Sequence, residues 1–132
     1  MTDYDPAYDP PAPVATVVLR NITSGATVPD VLLLLDTGAD VTLLPRAAIE
    51  ALGVAIVSGL TYDLVGFDGS RTTAHAADLD MIFLKKAFRG RYLLIQGDRG
   101  VLGRDVLANV AIILDGPRRE WSEFTAPHKP DR

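Results

Sequence analysis

The stretch from Val31 to Asp40 constrains the fold more than any other part of this 132-residue chain. Five consecutive aliphatic residues, Val31 to Leu35, lead directly into the carboxylate of Asp36 and then into a turn. A run of this length and composition predicts a β-strand buried on both faces. Because an isolated ionised carboxylate is costly to bury, Asp36 is expected to be paired, partly hydrated or protonated. Such carboxylates are candidates for a functional site.

The residues after Asp36 favour a reactive site over a simple turn. Thr37 supplies a hydroxyl, Gly38 permits a close backbone approach, and Ala39 adds no polar atom. The alternative is a buried turn in which Asp36 only caps the backbone. The block Asp-Thr-Gly-Ala-Asp behind an aliphatic strand resembles the active-site motif of the aspartic proteases, in particular the single-domain retropepsins.

The resemblance implies an all-β fold, a retropepsin-like closed barrel with one or two short helices that functions as a two-fold homodimer. It implies an aspartic endopeptidase that acts on a polypeptide substrate. It assigns catalysis to Asp36, Thr37 and Gly38, and substrate binding to Ala39 and Asp40.

Composition sets outer limits on function. Apolar content of 48% and charged content of 23% are ordinary for one globular domain, and the net charge of −4 argues against nucleic acid as the main partner. Cysteine is absent, and no residues show metal-ligand spacing, so no metal or other cofactor is expected. No aliphatic run is long enough to cross a membrane, and no signal-peptide pattern is present. These features predict a cytoplasmic protein without a membrane partner.

Proline and aspartate content divides the chain into three parts. Residues 1–13 carry four prolines and are predicted to form a disordered arm. Residues 14–124 are the predicted protease domain, and residues 125–132 a flexible tail. Within the domain, Val14 to Arg20 is predicted to be the first strand, with a turn region before Val31.

A short helix is predicted after the Asp36 motif. Residues 41–44 read as a strand, Pro45 suits the first helical turn, and Arg46 to Leu52 form the helix, which ends at Gly53. Viral retropepsins mostly lack a helix at this point. The resemblance is therefore placed nearer to the cellular and bacterial retropepsin-like proteins.

A hairpin is predicted between residues 60–65 and 71–80, with its turn at residues 66–70. It is either an ordinary surface hairpin or, as the family resemblance implies, the flap that closes over bound peptide. In the second case four turn residues would contact substrate: Gly66, Phe67, Asp68 and Gly69.

A further turn is predicted at residues 85–90, between strands at 81–84 and 91–96. Basic side chains crowd this region: Lys85, Lys86, Arg89 and Arg91. They are interpreted as solvated surface charges, and a nucleic-acid-binding turn is the less favoured alternative.

A second informative block is Val101 to Leu107, in which two aliphatic residues precede Gly103, Arg104 and Asp105. It resembles the second conserved block of retropepsins, where a strand leads into a short helix. The resemblance implies that Gly103 lets this strand pass close to the Asp36 loop. It also implies a bidentate pair between Arg104 and Asp40 that stabilises the loop. Alternatively, Arg104 is a helix-surface residue.

An aspartic protease needs two carboxylates that share one proton. The chain has one Asp-Thr-Gly, and the pairs Asp68-Gly69 and Asp115-Gly116 lack the strand and the threonine. The second carboxylate is therefore expected from Asp36 of another copy. Because Ala39 replaces a hydroxyl donor found in many two-lobed relatives, optimal activity is expected at mildly acidic to near-neutral pH. The alternative function is a catalytically silent dimer that binds peptides or partner proteins.

Overall fold

The structure is a computed structural model that describes residues 1–66 and 68–125. The described chain is mostly β-strand. In chain order the strands are β1 (Thr2–Asp3), β2 (Val14–Arg20), β3 (Thr27–Leu35), β4 (Leu43–Pro45), β5 (Tyr62–Val65), β6 (Arg71–Ala74), β7 (Ala76–Phe83), β8 (Lys86–Ile95), β9 (Gly100–Leu102), β10 (Ile112–Asp115) and β11 (Glu120–Glu123). Two short helices, α1 (Arg46–Leu52) and α2 (Arg104–Leu107), follow β4 and β9.

Six strands close into a barrel in the order β2-β3-β9-β4-β8-β7. Most neighbours are antiparallel, but β3 pairs in parallel with β9, and β4 with β8. The barrel interior is filled with aliphatic side chains, among them Leu33, Leu44 and Leu79, each without exposed surface. Burying one such side chain contributes about 1.5–3 kcal/mol. The predicted all-β closed barrel with two short helices is confirmed.

Strand β3 differs from its prediction in one respect. Leu33 and Leu35 point into the barrel, whereas Leu32 between them is 43% exposed. Strands of a closed barrel have an interior face and an exterior face, so successive residues alternate between them. The prediction that this strand is buried on both faces is therefore wrong.

Helix α1 has the predicted bounds. Ile49 and Leu52 lie in the core, and Gly53 ends the helix in the left-handed conformation at φ 75°. The N–H of Gly53 donates to the carbonyls of Ile49 and Glu50, which satisfies groups that the helix end would leave free. Pro45 was predicted to lie in the first helical turn. It is instead the N-cap, which directly precedes the helix.

The hairpin β7–β8 is longer than predicted, and its turn is tighter. Phe83 pairs with Lys86, so the connection consists of Leu84 and Lys85, both with positive φ, as expected for a two-residue turn. The predicted turn at residues 85–90 is wrong, because residues 86–90 continue strand β8. The basic residues consequently extend along a strand, where Arg89 and Arg91 pair with carboxylates of β7.

A three-stranded sheet, in the order β1-β11-β10, lies beside the barrel. Trp121 of β11 is buried, donates its Nε1–H to the Val14 carbonyl at 2.7 Å, and contacts the Phe83 ring. Residues 1–13, predicted to form a disordered arm, include β1, which pairs with β11 through backbone hydrogen bonds. The proline content of this segment did not suggest such pairing. The predicted tail lies, apart from Thr125, outside the described residues. No described helix has the length and apolar character needed to span a membrane.

Candidate active site

Asp36 lies where β3 leaves the barrel. Its backbone N–H donates to the Leu102 carbonyl of β9 at 3.1 Å, which fixes the start of the loop. Its Oδ1 accepts a hydrogen bond from the N–H of Gly38 at 2.9 Å. The side chain is partly exposed and belongs to no ion pair within the described residues. The carboxylate is therefore positioned by the backbone and left accessible.

The Asp36 loop borders a cavity of about 610 Å³. The hairpin β5–β6 lies on the other side of this cavity, with Val65 opposite Arg71 at its tip. Tyr62 and Leu64 of β5 pack with Leu43 and Leu93 of the barrel. The cavity therefore has a largely apolar lining with the Asp36 carboxylate at its edge, and its volume suits several side chains of an extended peptide.

The tip of the hairpin β5–β6 is held by its own hydrogen bonds. The N–H of Gly66 donates to the Ser70 carbonyl at 2.9 Å, and Gly69 adopts φ 83°, which favours glycine. Asp68 Oδ1 accepts from the Ser70 N–H at 2.9 Å. The hydrogen bonds from Ser70 lower the pKa of the Asp68 carboxyl group. Asp68 thus stabilises the turn, and Phe67 lies outside the described residues.

Gly103 contacts the outer side of the Asp36 loop. A Cβ atom at this position would lie 2.5 Å from the Val41 carbonyl oxygen and 3.0 Å from that of Ala39. No side chain fits into this space, so a glycine is required where β9 leads into α2. The N–H of Arg104 then donates to the Ala39 carbonyl at 2.9 Å.

The Arg104 side chain stabilises the Asp36 loop by a hydrogen bond to the backbone of the loop. Its Nη1 donates to the Thr37 carbonyl at 2.6 Å, whereas its Nη2 lies 3.8 Å from Asp40 Oδ1. Asp40 is 89% exposed and Arg104 52% exposed, so water screens this pair. The expected bidentate pair with Asp40 is not present in this structure. The short bond to a peptide carbonyl is the stronger restraint on the loop.

A polar network around the buried Thr42, absent from the sequence interpretation, stabilises the end of the loop. Thr42 is fully buried, and its hydroxyl donates to Asp105 Oδ1 at 2.7 Å and accepts from the N–H of Gly103 at 3.0 Å. Asp105 also accepts from the N–H groups of Thr42 and Val106. The sequence feature that could have indicated this network is the single threonine in the otherwise apolar run of residues 41–44.

The predicted site residues fall into three places. Five of them border the cavity together: Asp36, Gly38, Ala39, Asp40 and Gly66. Asp68 and Gly69 lie in the hairpin turn, while Thr37, Gly103 and Arg104 belong to the loop and its support. Sequence interpretation missed the apolar lining: Val41, Leu43, Tyr62, Leu64, Val65 and Leu93. The described residues contain no group of three potential metal ligands.

Comparison with known proteins identifies the fold. The solved structure of EIAV protease, complexed with the inhibitor HBY-793, matches this chain with a TM-score of 0.56 and 24% sequence identity. The match covers 74% of this chain and 86% of that one. No family model and no curated protein matches the sequence. The similarity, together with the closed barrel, defines a retropepsin-like fold.

Proposed function

We propose that this protein is an aspartic endopeptidase whose catalytic pair of carboxylates forms between two copies of the chain. One observation carries the proposal. Asp36 is an accessible carboxylate without an ion-pair partner among the described residues, and it borders a cavity of about 610 Å³ in a retropepsin-like fold. A carboxylate that served only stability would be expected to have a cation or several donors around it.

The chemistry requires two such groups. Two carboxylates within hydrogen-bonding distance share one proton, because both cannot carry a charge so close together. The ionised group takes a proton from water as the water attacks the scissile carbonyl, and the protonated group donates to the carbonyl oxygen. Gly38 supports this role, since its N–H holds Asp36 Oδ1 without adding a side chain to the cavity.

The second carboxylate comes from Asp36 of another copy. A two-fold axis beside the Asp36 loop would bring the same loop of both copies into contact, as in closed homodimers. Thr37 is exposed in the single chain, and we assign to its hydroxyl a hydrogen bond across this axis. The hairpin β5–β6 acts as a flap over the substrate, and we assign substrate contacts to Gly66, Phe67, Asp68 and Gly69. Ala39 and Asp40 border the bound peptide.

Helix α1 supports a finer placement among retropepsin-like proteins. It follows β4 and packs Ile49 and Leu52 into the barrel, at a point where viral retropepsins mostly lack a helix. We therefore place the chain nearer to the cellular and bacterial members. Its substrate is a polypeptide in extended form, since a cavity beneath a β-hairpin accommodates a strand.

Cleavage of an unfolded protein tests the proposal. Purified protein is incubated with denatured, reduced casein between pH 4 and pH 7.5, and new amino termini are counted by mass spectrometry. Asp36→Asn should lower the cleavage rate about 10³-fold or more, because the water loses its base. Asp30→Asn is the matched control, since it removes an exposed carboxylate from the same strand at φ 60°, a conformation that asparagine tolerates. It should retain full activity.

The binding alternative makes a different prediction. A catalytically silent dimer would produce no new termini at any pH, yet would retain peptides, and Asp36→Asn would leave that retention unchanged. Equal cleavage by wild type and Asp36→Asn would indicate a contaminating protease and would remove the support for catalysis.

A further inference from the structure

The hairpin β5–β6 is attached to the barrel at its root. Ahead of β5, the N–H of Val57 donates to the Ala76 carbonyl at 2.8 Å. Behind β6, the N–H of Leu94 donates to the His75 carbonyl at 2.9 Å. At the other end of the hairpin, Val65 is 64% exposed. The direction in which the hairpin reaches over the cavity is therefore set by contacts at its root.

A guanidinium group from helix α1 contacts this root. Nη2 of Arg46, the first residue of α1, lies 3.0 Å from Nδ1 of His75, which is the single residue between β6 and β7. Arginine can only donate, so His75 Nδ1 must be the acceptor, and the imidazole ring is neutral with its proton on Nε2. Arg46 follows β4, in which Leu43 lines the cavity. The contact therefore connects the returning strand of the hairpin to one wall of the cavity.

A second guanidinium group lies beside the other strand of the hairpin. Arg91 of β8 donates to both carboxylate oxygens of Asp78, at 2.8 and 3.1 Å, which defines the orientation of its side chain. Leu93, on the same face of β8, belongs to the apolar cluster against which Tyr62 of β5 packs. Hydrogen bonding to the Asp78 carboxylate, and secondarily to the Tyr62 hydroxyl, raises the pKa of the Arg91 guanidinium. Because Tyr62 lines the cavity, this contact acts on the cavity wall.

Both contacts lie where water can reach them. Arg91 is 43% exposed, and Arg46 and His75 are half-buried, so each contact contributes little to the free energy of unfolding. An isolated two-stranded hairpin is marginally stable in water, so its geometry depends on what it packs against. Contacts at the two strands of the root restrict the hairpin more than they stabilise the whole domain.

We propose that Arg46 and Arg91 are positioning residues for the hairpin β5–β6, and that each fixes one strand at the root, Arg46 through His75 and Arg91 through Tyr62. The inference rests on the proposed function, because it assigns both residues to the binding of substrate beneath the flap. Neither arginine borders the cavity, so neither takes part in the chemical step. A hairpin without these contacts must be ordered when substrate binds, and the cost of ordering weakens binding.

Steady-state kinetics test the inference, with a fluorogenic peptide built on a casein site that the wild type cleaves. Arg46→Ala and Arg91→Ala should each raise KM about 5-fold, the factor that corresponds to one hydrogen bond of ordinary strength. The value of kcat should change less than about 2-fold, since the Asp36 loop is unaltered. Lys86→Ala is the matched control, because it removes an exposed basic side chain from the strand that carries Arg91. It should leave KM unchanged.

Replacements of the two partners separate a positioning role from a general structural one. His75→Asn keeps an acceptor close to the position of Nδ1, so KM should stay within about 2-fold of the wild-type value, whereas His75→Leu should raise KM as Arg46→Ala does. Tyr62→Phe keeps the ring that lines the cavity but removes the hydroxyl. Its combination with Arg91→Ala should raise KM no further than either change alone, because both remove the same contact.

Hydrogen exchange provides a second readout, which does not depend on catalysis. The amides of residues 62–65 and 71–74 should exchange about 5-fold faster in Arg46→Ala and in Arg91→Ala, while those of β2 and β3 keep their wild-type rates. This result in a protein that cleaves no peptide would support the contacts at the root and contradict the proposed function.

Three results would overturn the inference and leave the proposed protease in place. The first is an unchanged KM in either arginine variant of an active protein. The second is a KM for His75→Asn as high as that for His75→Leu, because the acceptor would then not matter. The third is hairpin exchange at wild-type rates in both arginine variants.

Discussion

Asp36 and Asp80 are both acidic residues of the barrel strands or their ends, but they differ in exposure and in the number of hydrogen bonds they accept. Asp80 is 2% exposed and accepts four hydrogen bonds from Arg20 and Arg89, at 2.9–3.2 Å. Asp36 faces a cavity and accepts one hydrogen bond, from the N–H of Gly38. Full pairing fixes a charge in place and makes it chemically inert, whereas an unpaired, accessible charge remains available to act on a substrate.

The largest expected effect comes from removing the inert carboxylate. Asp80→Asn should destabilise the protein by about 3 kcal/mol, because two arginines lose their shared partner next to the barrel. Asp78→Asn is the matched control on the same strand, since Asp78 is 50% exposed and pairs with Arg91 alone. It should cost less than about 1 kcal/mol. Urea unfolding measures both, and equal losses would contradict the structural role of Asp80.

Low pH should sharpen the same comparison. The hydrogen bonds from Arg89, followed by those from Arg20, lower the pKa of Asp80 from 3.8 to about 2. A lowered pKa means that the ionised group stabilises the fold above pH 4, and that this contribution, about 2 kcal/mol, is lost as the pH falls towards 2. The stability difference between wild type and Asp80→Asn should therefore narrow between pH 5 and pH 2. A constant difference would show that Asp80 acts through packing rather than charge.

Thr42 tests the support of the Asp36 loop. Thr42→Val keeps the shape but removes the hydroxyl that joins Asp105 to the N–H of Gly103. The buried N–H of Gly103 loses its acceptor and the exposed Asp105 carboxylate loses a donor, so we expect a loss of about 1.5 kcal/mol and lower activity at saturating substrate. Thr23→Val in the exposed turn between β2 and β3 should change neither quantity. Unchanged stability in Thr42→Val would show that water replaces the hydroxyl.

Arg104 should have the smallest effect on stability and a measurable one on rate. Arg104→Ala removes the 2.6 Å bond to the Thr37 carbonyl, so the loop loosens and kcat should fall about 10-fold. Because the side chain is 52% exposed, stability should change by less than about 1 kcal/mol. Arg118→Ala, which removes a surface pair with Asp115, is the control and should leave kcat unchanged. A loss of stability without a loss of rate would contradict the positioning role.

Sequence patterns predicted the parts of the fold that depend on local chemistry. The strand Val14–Arg20, the helix Arg46–Leu52 and the hairpin that pairs Val65 with Arg71 were predicted because their signals lie within a few residues. The partners of Thr42 and of Asp80 lie far away in sequence, so no local pattern shows them. The exposure of Leu32 likewise depends on how the barrel closes.

The predicted site shows the same division. The position of Asp36 at the end of a strand follows from its neighbours, and the Gly103 approach followed from the family resemblance. Arg104 lies 2.6 Å from the Thr37 carbonyl and 3.8 Å from Asp40, so its choice of partner depends on a difference of about 1 Å. Differences of this size are set by packing of the whole domain rather than by residue type.

The central claim is that Asp36 acts only as a pair contributed by two chains, and subunit mixing tests it most directly. Wild type is held at a fixed concentration near its dimer dissociation constant, and Asp36→Asn is added in increasing excess. Heterodimers carry one Asp36 carboxylate, so the account predicts that the cleavage rate falls towards zero as the mutant exceeds wild type. Asp30→Asn, added in the same way, should raise the rate. A rate that is unaffected by excess Asp36→Asn, and proportional to wild-type concentration at every dilution, would contradict the shared pair.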